Sequence, residues 1–294
     1  MTTAPAAGLT ARATSDAPAV RPVRPLPSLL ALSIERTRIE LRQYSRERDA
    51  VVFIFAYPII MLAIFATVFG QDGATVGPEP GIPFGQYFLP GMVATGVLLS
   101  SFQNVAMSIA IARDEGALKR LRATPLPPAA YFLGKVGSVL ISSFAQMGLL
   151  LVVARLVFGI DLPTTADRWL TFAWVLLLGT ATGAVCGVAF SSVPRSGKSA
   201  SAVVTPIVLV LQFISGVFFM FSSLPSWMQQ VASLFPLKWM AQGMRSVFLP
   251  DTALAMEPAG SWEHGMTAAV LGAYLLVGLV LGVRTFRWRR RDDG

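Results

Sequence analysis

The sequence has very few residues that could build a metal or redox site. Its 294 residues include one cysteine, Cys186, and one histidine, His264. A lone cysteine inside an apolar run excludes a disulfide framework and a thiolate metal site, and the histidine has no second metal ligand near it in the sequence. The pattern also offers no Ser-His-Asp or Cys-His arrangement. We therefore expect no catalytic residue, no metal site and no bound cofactor in this chain.

Charge is scarce as well. Only 14% of the residues are charged and 54% are hydrophobic, whereas a soluble domain carries about 25% charge. Long uncharged runs of about 20 residues or more predict membrane-spanning helices. The predicted spans are residues 50–70, 87–112, 131–158, 169–192, 199–222 and 266–284. The predicted fold class is therefore all-α, a polytopic membrane protein with six transmembrane helices.

Acidic residues are missing from the spans. All sixteen Asp and Glu residues lie outside the six predicted ranges. A carrier driven by protons or sodium usually keeps an acid near the middle of the membrane to hold the ion. This absence disfavours a secondary transporter.

The basic residues are distributed unevenly. Of the 24 lysines and arginines, 20 flank one side of the predicted spans. The positive-inside rule then places both termini in the cytoplasm. The net charge of +8 does not indicate nucleic-acid binding, because these bases flank spans instead of covering a folded basic domain.

The regions outside the spans have their own patterns. Residues 1–27, rich in Ala, Pro, Thr and Arg, predict a disordered cytoplasmic tail, and residues 285–294 predict a basic cytoplasmic tail. Between them, residues 50–284 hold the six-helix domain. Residues 223–250 are too apolar for an outer loop and too interrupted by proline for one span, so we expect a re-entrant helical segment before the last span.

Residues 28–48 predict an amphipathic helix at the membrane interface. Leu30, Ile34, Leu41 and Tyr44 fall on one helical stripe, and charged residues surround it. The alternative, a helix packed on a soluble partner, is less consistent with the spanning helix that follows directly.

Small and polar residues inside the spans suggest how the helices meet. Glycines four residues apart, which let helices approach closely, are Gly179, Gly183 and Gly187 in span four and Gly278 and Gly282 in span six. Their partners are helices of the same chain or of a second copy. The polar residues Gln103, Asn104 and Gln212 either line a transport path or form hydrogen bonds between helices, and the sequence leaves both open.

A charged stretch, residues 113–128, separates spans two and three. Acids come first and bases follow, which favours a short helix, and Thr124-Pro125 ends it. We expect its two leucines to form an apolar face for a cytoplasmic partner; the alternative is a basic loop that only anchors the helices. The candidate coupling residues are Asp114, Glu115, Gly116, Leu118, Arg120 and Leu121.

A second charged stretch looks like a nucleotide site but lacks the required residues. Ser196-Gly-Lys-Ser199 matches the end of a phosphate-binding loop, yet Ser192 stands where the leading glycine is required. The stretch lies between two spans and follows no strand. We therefore expect energy to come from a separate subunit.

Three stretches carry a family resemblance. They are the run from Arg113 to Leu126, the segment Ser215-Gly-Val-Phe-Phe with Leu224-Pro-Ser-Trp and Phe235-Pro-Leu-Lys-Trp after it, and Phe88-Leu-Pro-Gly-Met92. Together they resemble the permeases of ABC type-2 exporters, most closely the daunorubicin/doxorubicin-resistance type. The resemblance covers nearly all of residues 30–290, in the same order.

The resemblance implies a function and a set of partners. It implies a permease half in a bacterial plasma membrane that pairs with a second permease copy, the same chain or a paralogue. Two cytoplasmic ATP-binding subunits, which hold ATP and Mg, would bind below. The expected cargo is a hydrophobic small molecule of the drug or antibiotic type, and the alternative is a lipid or lipid-linked glycan.

Overall fold

The structure is a computed structural model that describes residues 27–286, apart from the side chain of Asp72. The predicted disordered tail, except Pro27, and the basic tail from residue 287 onward lie outside the described residues. Within the described part, the chain is almost entirely helical. A short antiparallel ladder joins β1 (Thr75–Val76) to β2 (Ile82–Pro83).

Eleven α-helices follow one another along the described chain. They are α1 (Leu29–Arg46), α2 (Arg48–Val68), α3 (Phe84–Leu98), α4 (Asn104–Asp114), α5 (Ala117–Arg122), α6 (Pro128–Phe158), α7 (Ala166–Phe190), α8 (Gly197–Ile214), α9 (Ser226–Ser233), α10 (Pro236–Phe248) and α11 (His264–Thr285). Three short 3₁₀ turns lie at Gln71–Gly73, Phe221–Ser223 and Asp251–Met256.

Six of these helical stretches are long and apolar enough to cross a membrane. They are α2, the continuous stretch Phe84–Asp114 made of α3 and α4, α6, α7, α8 and α11. The predicted six-span, all-helical class is confirmed. Because the number of spans is even, the two ends of the domain come out on the same side of the bundle.

The predicted end of the fifth span is wrong. The sequence predicts a span to residue 222, but α8 ends at Ile214. Gly216 follows with φ at +72°, a left-handed conformation that an α-helix cannot continue through. The guanidinium of the buried Arg245 donates to the Gly216 carbonyl at 3.4 Å, which holds this break in place.

The second span contains a π-helical turn, Leu99–Gln103, between α3 and α4. A π turn carries one extra residue in the helical ladder and is frequent at functional sites. It lies directly against α7. A Cβ built on Gly183 would be 2.0 Å from the Ser101 hydroxyl oxygen, so only glycine permits this approach.

The other glycines of the two predicted faces also pack within the chain. A Cβ on Gly187 would be 2.8 Å from the Phe102 carbonyl oxygen, and one on Gly179 would be 3.3 Å from Met240 of α10. In α11, Gly278 faces Val185 of α7 at 3.1 Å. Gly282 faces Val188 of the same helix at 3.5 Å. All five glycines therefore serve packing inside one copy.

The segment at 223–250 folds as two short helices, α9 and α10. Every residue of α10 from Leu237 to Phe248 is buried, and the helix packs on α3, α7 and α11. Arg245 forms an ion pair with Glu257 at 2.5 Å, with both side chains 4% exposed. The chain thus buries a helix with a paired charge against three of its membrane helices.

The packing of α7 generates a stability prediction. Gly183→Ala should lower the unfolding free energy in detergent by about 1–3 kcal/mol, because the added methyl overlaps both Ser101 side-chain atoms. Thermal unfolding followed by circular dichroism measures this. The matched control is Gly148→Ala in α6, where nothing lies within 4 Å of the new Cβ. Equal melting temperatures for the two variants would contradict the close α7 packing.

Candidate functional site

The acids that were expected in the first turn of the short helix lie at the end of α4, because Asp114 is its last residue and Glu115 its C-cap, and only the bases of the charged stretch lie on α5. Gly116 precedes it with φ at +73°, a conformation that favours glycine and turns the chain sharply between α4 and α5. The helix ends at Arg122, just before Thr124-Pro125, because the residue before proline avoids the helical region.

The leucines of α5 face the bundle. Leu118 is 2% exposed and packs in a cluster with Val105, Ile109 and Tyr131, and Leu121 packs at the edge of the same cluster. The prediction that Leu118 offers an apolar face to a partner is therefore wrong. The helix uses that face to dock on α4 and α6 of its own chain, and the sequence pattern could not tell which surface covers it.

The side of α5 that a partner can reach is charged. Glu115, Lys119, Arg120 and Arg122 are all exposed, and Arg120 also borders a cavity beside the helix. Asp114 and Gly116 are partly buried. Of the six candidate coupling residues, the two leucines face inward, Glu115 and Arg120 lie on the exposed charged rim, and the other two lie between these groups.

The end of α4 is tied to the start of α8. The carboxylate of Asp114 accepts a hydrogen bond from the Gly197 amide at 3.2 Å, at the N-terminus of α8 where a negative charge is favourable. Arg113 donates to the Pro194 carbonyl at 2.9 Å. Two hydrogen bonds therefore join the end of α4 to the α7–α8 connection.

The stretch that resembles a phosphate loop has a structural role. Ser196 is the N-cap of α8, and its hydroxyl accepts from the Ser199 amide while the Ser199 hydroxyl accepts from the Ser196 amide. This is a reciprocal capping box.

The amphipathic helix α1 lies along α6 with its polar face inward. Ser33, Arg36, Thr37 and Glu40 lie on the side that faces α6. By contrast, Leu30 and Ile34 of the predicted apolar stripe are 70% and 48% exposed. The apolar stripe therefore faces away from the bundle at these positions, where the membrane interface would cover it.

Two glycines of α6 allow α1 to come this close. A Cβ on Gly134 would lie within 2.6 Å of two side-chain carbons of Arg36, and one on Gly137 would be 2.7 Å from the Thr37 hydroxyl. The Thr37 hydroxyl also donates to the Gly134 carbonyl at 3.3 Å.

A charged cluster joins these two helices. Glu40 is 6% exposed and forms ion pairs with Arg36 and with Lys135, whose ammonium lies 2.7 Å away. Burial acts to raise the pKa of Glu40, but the charges of Lys135 and Arg36 outweigh it and lower that pKa below its usual range. Lys135 is thus held by a buried carboxylate. In the sequence, the i,i+4 spacing of Arg36 and Glu40 is the pattern that indicates an ion pair at this place.

A cavity of about 920 Å³ lies beside this cluster, bounded by α1, α2, α4, α5 and α6. We call it the interfacial cavity. Its wall includes Arg36, Glu40, Tyr44, Ile54, Gln103, Asn104, Leu118 and Lys135. Burial raises the pKa of Tyr44 to about 12, with a further contribution from Glu47, so its hydroxyl stays protonated.

The three candidate pathway residues do not lie at one place in the structure. Gln103 and Asn104 both border the interfacial cavity, where the π turn meets α4. Gln212 is 1% exposed on α8 and accepts a hydrogen bond from the Tyr57 hydroxyl of α2 at 2.9 Å. Gln212 therefore joins two helices and lies apart from the other two.

Comparison with known proteins agrees with this geometry. Residues 36–249 match the family model described as ABC-2 type transporter. The inner membrane transport permease YadH of Escherichia coli strain K12 is 25% identical over 65% of this chain and 74% of its own length. The daunorubicin resistance ABC transporter permease protein DrrB1 of Streptomyces coeruleorubidus is 24% identical over 81% of this chain and 79% of its own.

A further relative is more distant. The probable multidrug ABC transporter permease YbhR of Escherichia coli strain K12 is 20% identical over 66% of this chain and 52% of its own length. The matched family region runs from α1 through α10 and includes α5 and the interfacial cavity. The chain is a multi-pass membrane protein that belongs to the ABC-2 type transporter family.

Proposed function

We propose that this chain is the permease half of an ATP-driven exporter that moves a hydrophobic small molecule out of a bacterial cell. Two permease copies pair in the plasma membrane, and cytoplasmic ATP-binding subunits bind to their α5 helices. The observation that carries this proposal is the build of α5, which is charged outside and anchored by Leu118 inside. Such a helix accepts force from a partner and passes it to the bundle.

The distribution of acids supports an external energy source. The bounds of the spans in the structure differ from the predicted ones and include Asp49, Asp114 and Asp167, but each lies in the first or last turn of its helix. The described spans therefore hold no carboxylate near mid-membrane for an ion-coupled cycle. This favours ATP hydrolysed in a separate subunit over a secondary transporter.

The cargo class is inferred from the relatives. Two of them are named for multidrug transport and daunorubicin resistance. A lipid or lipid-linked glycan is the alternative within the same architecture.

A panel of compounds separates these cargo classes. ATPase activity of the permease, reconstituted with its ATP-binding subunit, should be stimulated severalfold by hydrophobic aromatic drugs. Lipid-linked glycans should not stimulate it. Stimulation by the glycans alone would contradict the drug-type cargo and support the lipid-linked glycan.

The proposed orientation, with both termini cytoplasmic, predicts a labelling pattern. In a Cys186→Ala background, a cysteine at Ala123 should be shielded from a membrane-impermeant maleimide in intact cells. A cysteine at Ala259 should be labelled, since both positions are exposed on the structure. Permeabilised cells provide the control, because both sites should then react. Labelling at Ala123 in intact cells would contradict the proposed orientation.

The charged rim of α5 predicts a coupling defect. Arg120→Glu should leave the melting temperature of the permease unchanged, because the side chain is exposed. It should weaken binding of the ATP-binding subunit roughly tenfold, because reversing a charge replaces a modest attraction of about 0–1 kcal/mol by repulsion. Co-purification and export measured on the same samples test this. Arg38→Glu, on the exposed face of α1, is the matched charge reversal.

The buried leucine provides the contrast for this experiment. Leu118→Ala should lower the stability of the permease itself by about 2–5 kcal/mol, because it opens a cavity in the cluster under α5. If Arg120→Glu co-purifies the ATP-binding subunit as well as Arg38→Glu does, the charged rim is not the docking surface.

A further inference from the structure

The interfacial cavity has a charge that its own wall does not balance. Arg36 and Lys135 share the single carboxylate of Glu40, which leaves one positive charge at a wall where Arg36 and Lys135 side chains are only 15% and 12% exposed. The exposed charges at the rim cancel, since Arg46 and Arg120 stand against Glu47 and Glu115. A partly buried net charge favours a counter-ion in the cavity.

Residues of the same wall carry buried hydrogen-bonding groups that lack a partner. Among the described residues, eight buried side-chain polar atoms have no hydrogen-bond partner, and three of them belong to residues of this wall. These are the Arg36 Nε and the Tyr44 hydroxyl, which are donors, and the Gln103 Oε1, which is an acceptor. Leaving such groups unpaired is unfavourable, so a ligand that pairs them is favoured.

Apolar side chains form part of the remaining wall, which opens towards the lipid-facing surface. Phe53 of α2 borders the cavity and is 57% exposed, and its neighbour Val52 is 63% exposed. Ile54 and Met107 line the interior. The exposed Leu30 and Ile34 of α1 place this level of the molecule at the membrane interface. A ligand here would have a polar anionic head and an apolar tail.

We propose that the interfacial cavity binds the anionic headgroup of a membrane phospholipid. Small side-chain movements on binding uncover Arg36 Nε and the Tyr44 hydroxyl, which donate to the phosphate, and its charge neutralises the excess charge of the Arg36–Glu40–Lys135 cluster. A headgroup hydroxyl donates to Gln103, and the acyl chains leave past Phe53 into the bilayer. The same chemistry in an exported amphiphile is the other source, but the bilayer offers such headgroups at this depth continuously. The inference does not depend on which cargo is exported.

Native mass spectrometry of the purified full chain tests this assignment. Protein in a non-ionic detergent is mixed with equal amounts of phosphatidylglycerol and phosphatidylcholine, and the retained lipids are counted. The wild type should retain one phosphatidylglycerol in preference to phosphatidylcholine. Arg36→Met, which removes the excess charge and one donor but leaves Glu40 paired with Lys135, should reduce this preference at least fivefold.

Two further variants make the result specific. Tyr44→Phe deletes only a hydroxyl and should reduce the preference about threefold; it decides the question if Arg36→Met does not fold. Arg38→Met removes the same charge from the exposed face of the same helix, where the side chain is 65% exposed, and should behave as wild type.

Three outcomes would overturn the proposal. The first is a wild type without preference for phosphatidylglycerol, and the second is an unchanged preference in Tyr44→Phe. The third is an equal loss in Arg36→Met and Arg38→Met, which would mean that surface charge alone holds the lipid. If a transported anionic amphiphile is retained while phosphatidylglycerol is not, the cavity is a cargo site and the lipid assignment is wrong.

Discussion

The close approach of α7 to the π turn in the second span is the contact on which the rest of the bundle depends. Gly183 and Gly187 bring α7 against Ser101 and Phe102, and the opposite face of α7 receives α11 through Gly278. Helices in a membrane gain little from hydrophobic burial between them, so close backbone packing is the main source of their association. With α7 fixed there, α10 packs into the bundle against α3 and α7, and the cluster under α5 rests on α4, α6 and α7.

This arrangement connects the proposed docking surface with the membrane helices. The charged rim of α5 is outside, Leu118 is in the cluster below, and the Asp114–Gly197 hydrogen bond links the end of the second span to the start of the fifth. Movement of α5 would therefore displace two spans together. The capping box at Ser196 keeps the first turn of α8 rigid, which favours motion of the helix as a unit.

Much of the architecture could be predicted from the sequence because length and hydropathy determine spans. The approximate positions of the six spans, a short helix within residues 113–128 and the glycine packing faces all follow from local patterns. The sequence could not predict that the chain's own helices cover Leu118, because an apolar face on a short helix can pack on a partner or on its own bundle equally well. The inward polar face of α1 could not be predicted either, because the ion pair that buries Glu40 is formed with Lys135, which is distant in the sequence. The π turn has no sequence signature, and the break at Gly216 overrides an apolar run that continues beyond it.

The central claim is that this chain exports cargo only when a separate subunit hydrolyses ATP. The most direct measurement is the flux of a hydrophobic aromatic drug in proteoliposomes that contain the permease with and without its ATP-binding subunit. The account predicts accumulation only with both subunits and ATP, and no accumulation when a proton or sodium gradient replaces ATP. Accumulation driven by an ion gradient through the permease alone would contradict it.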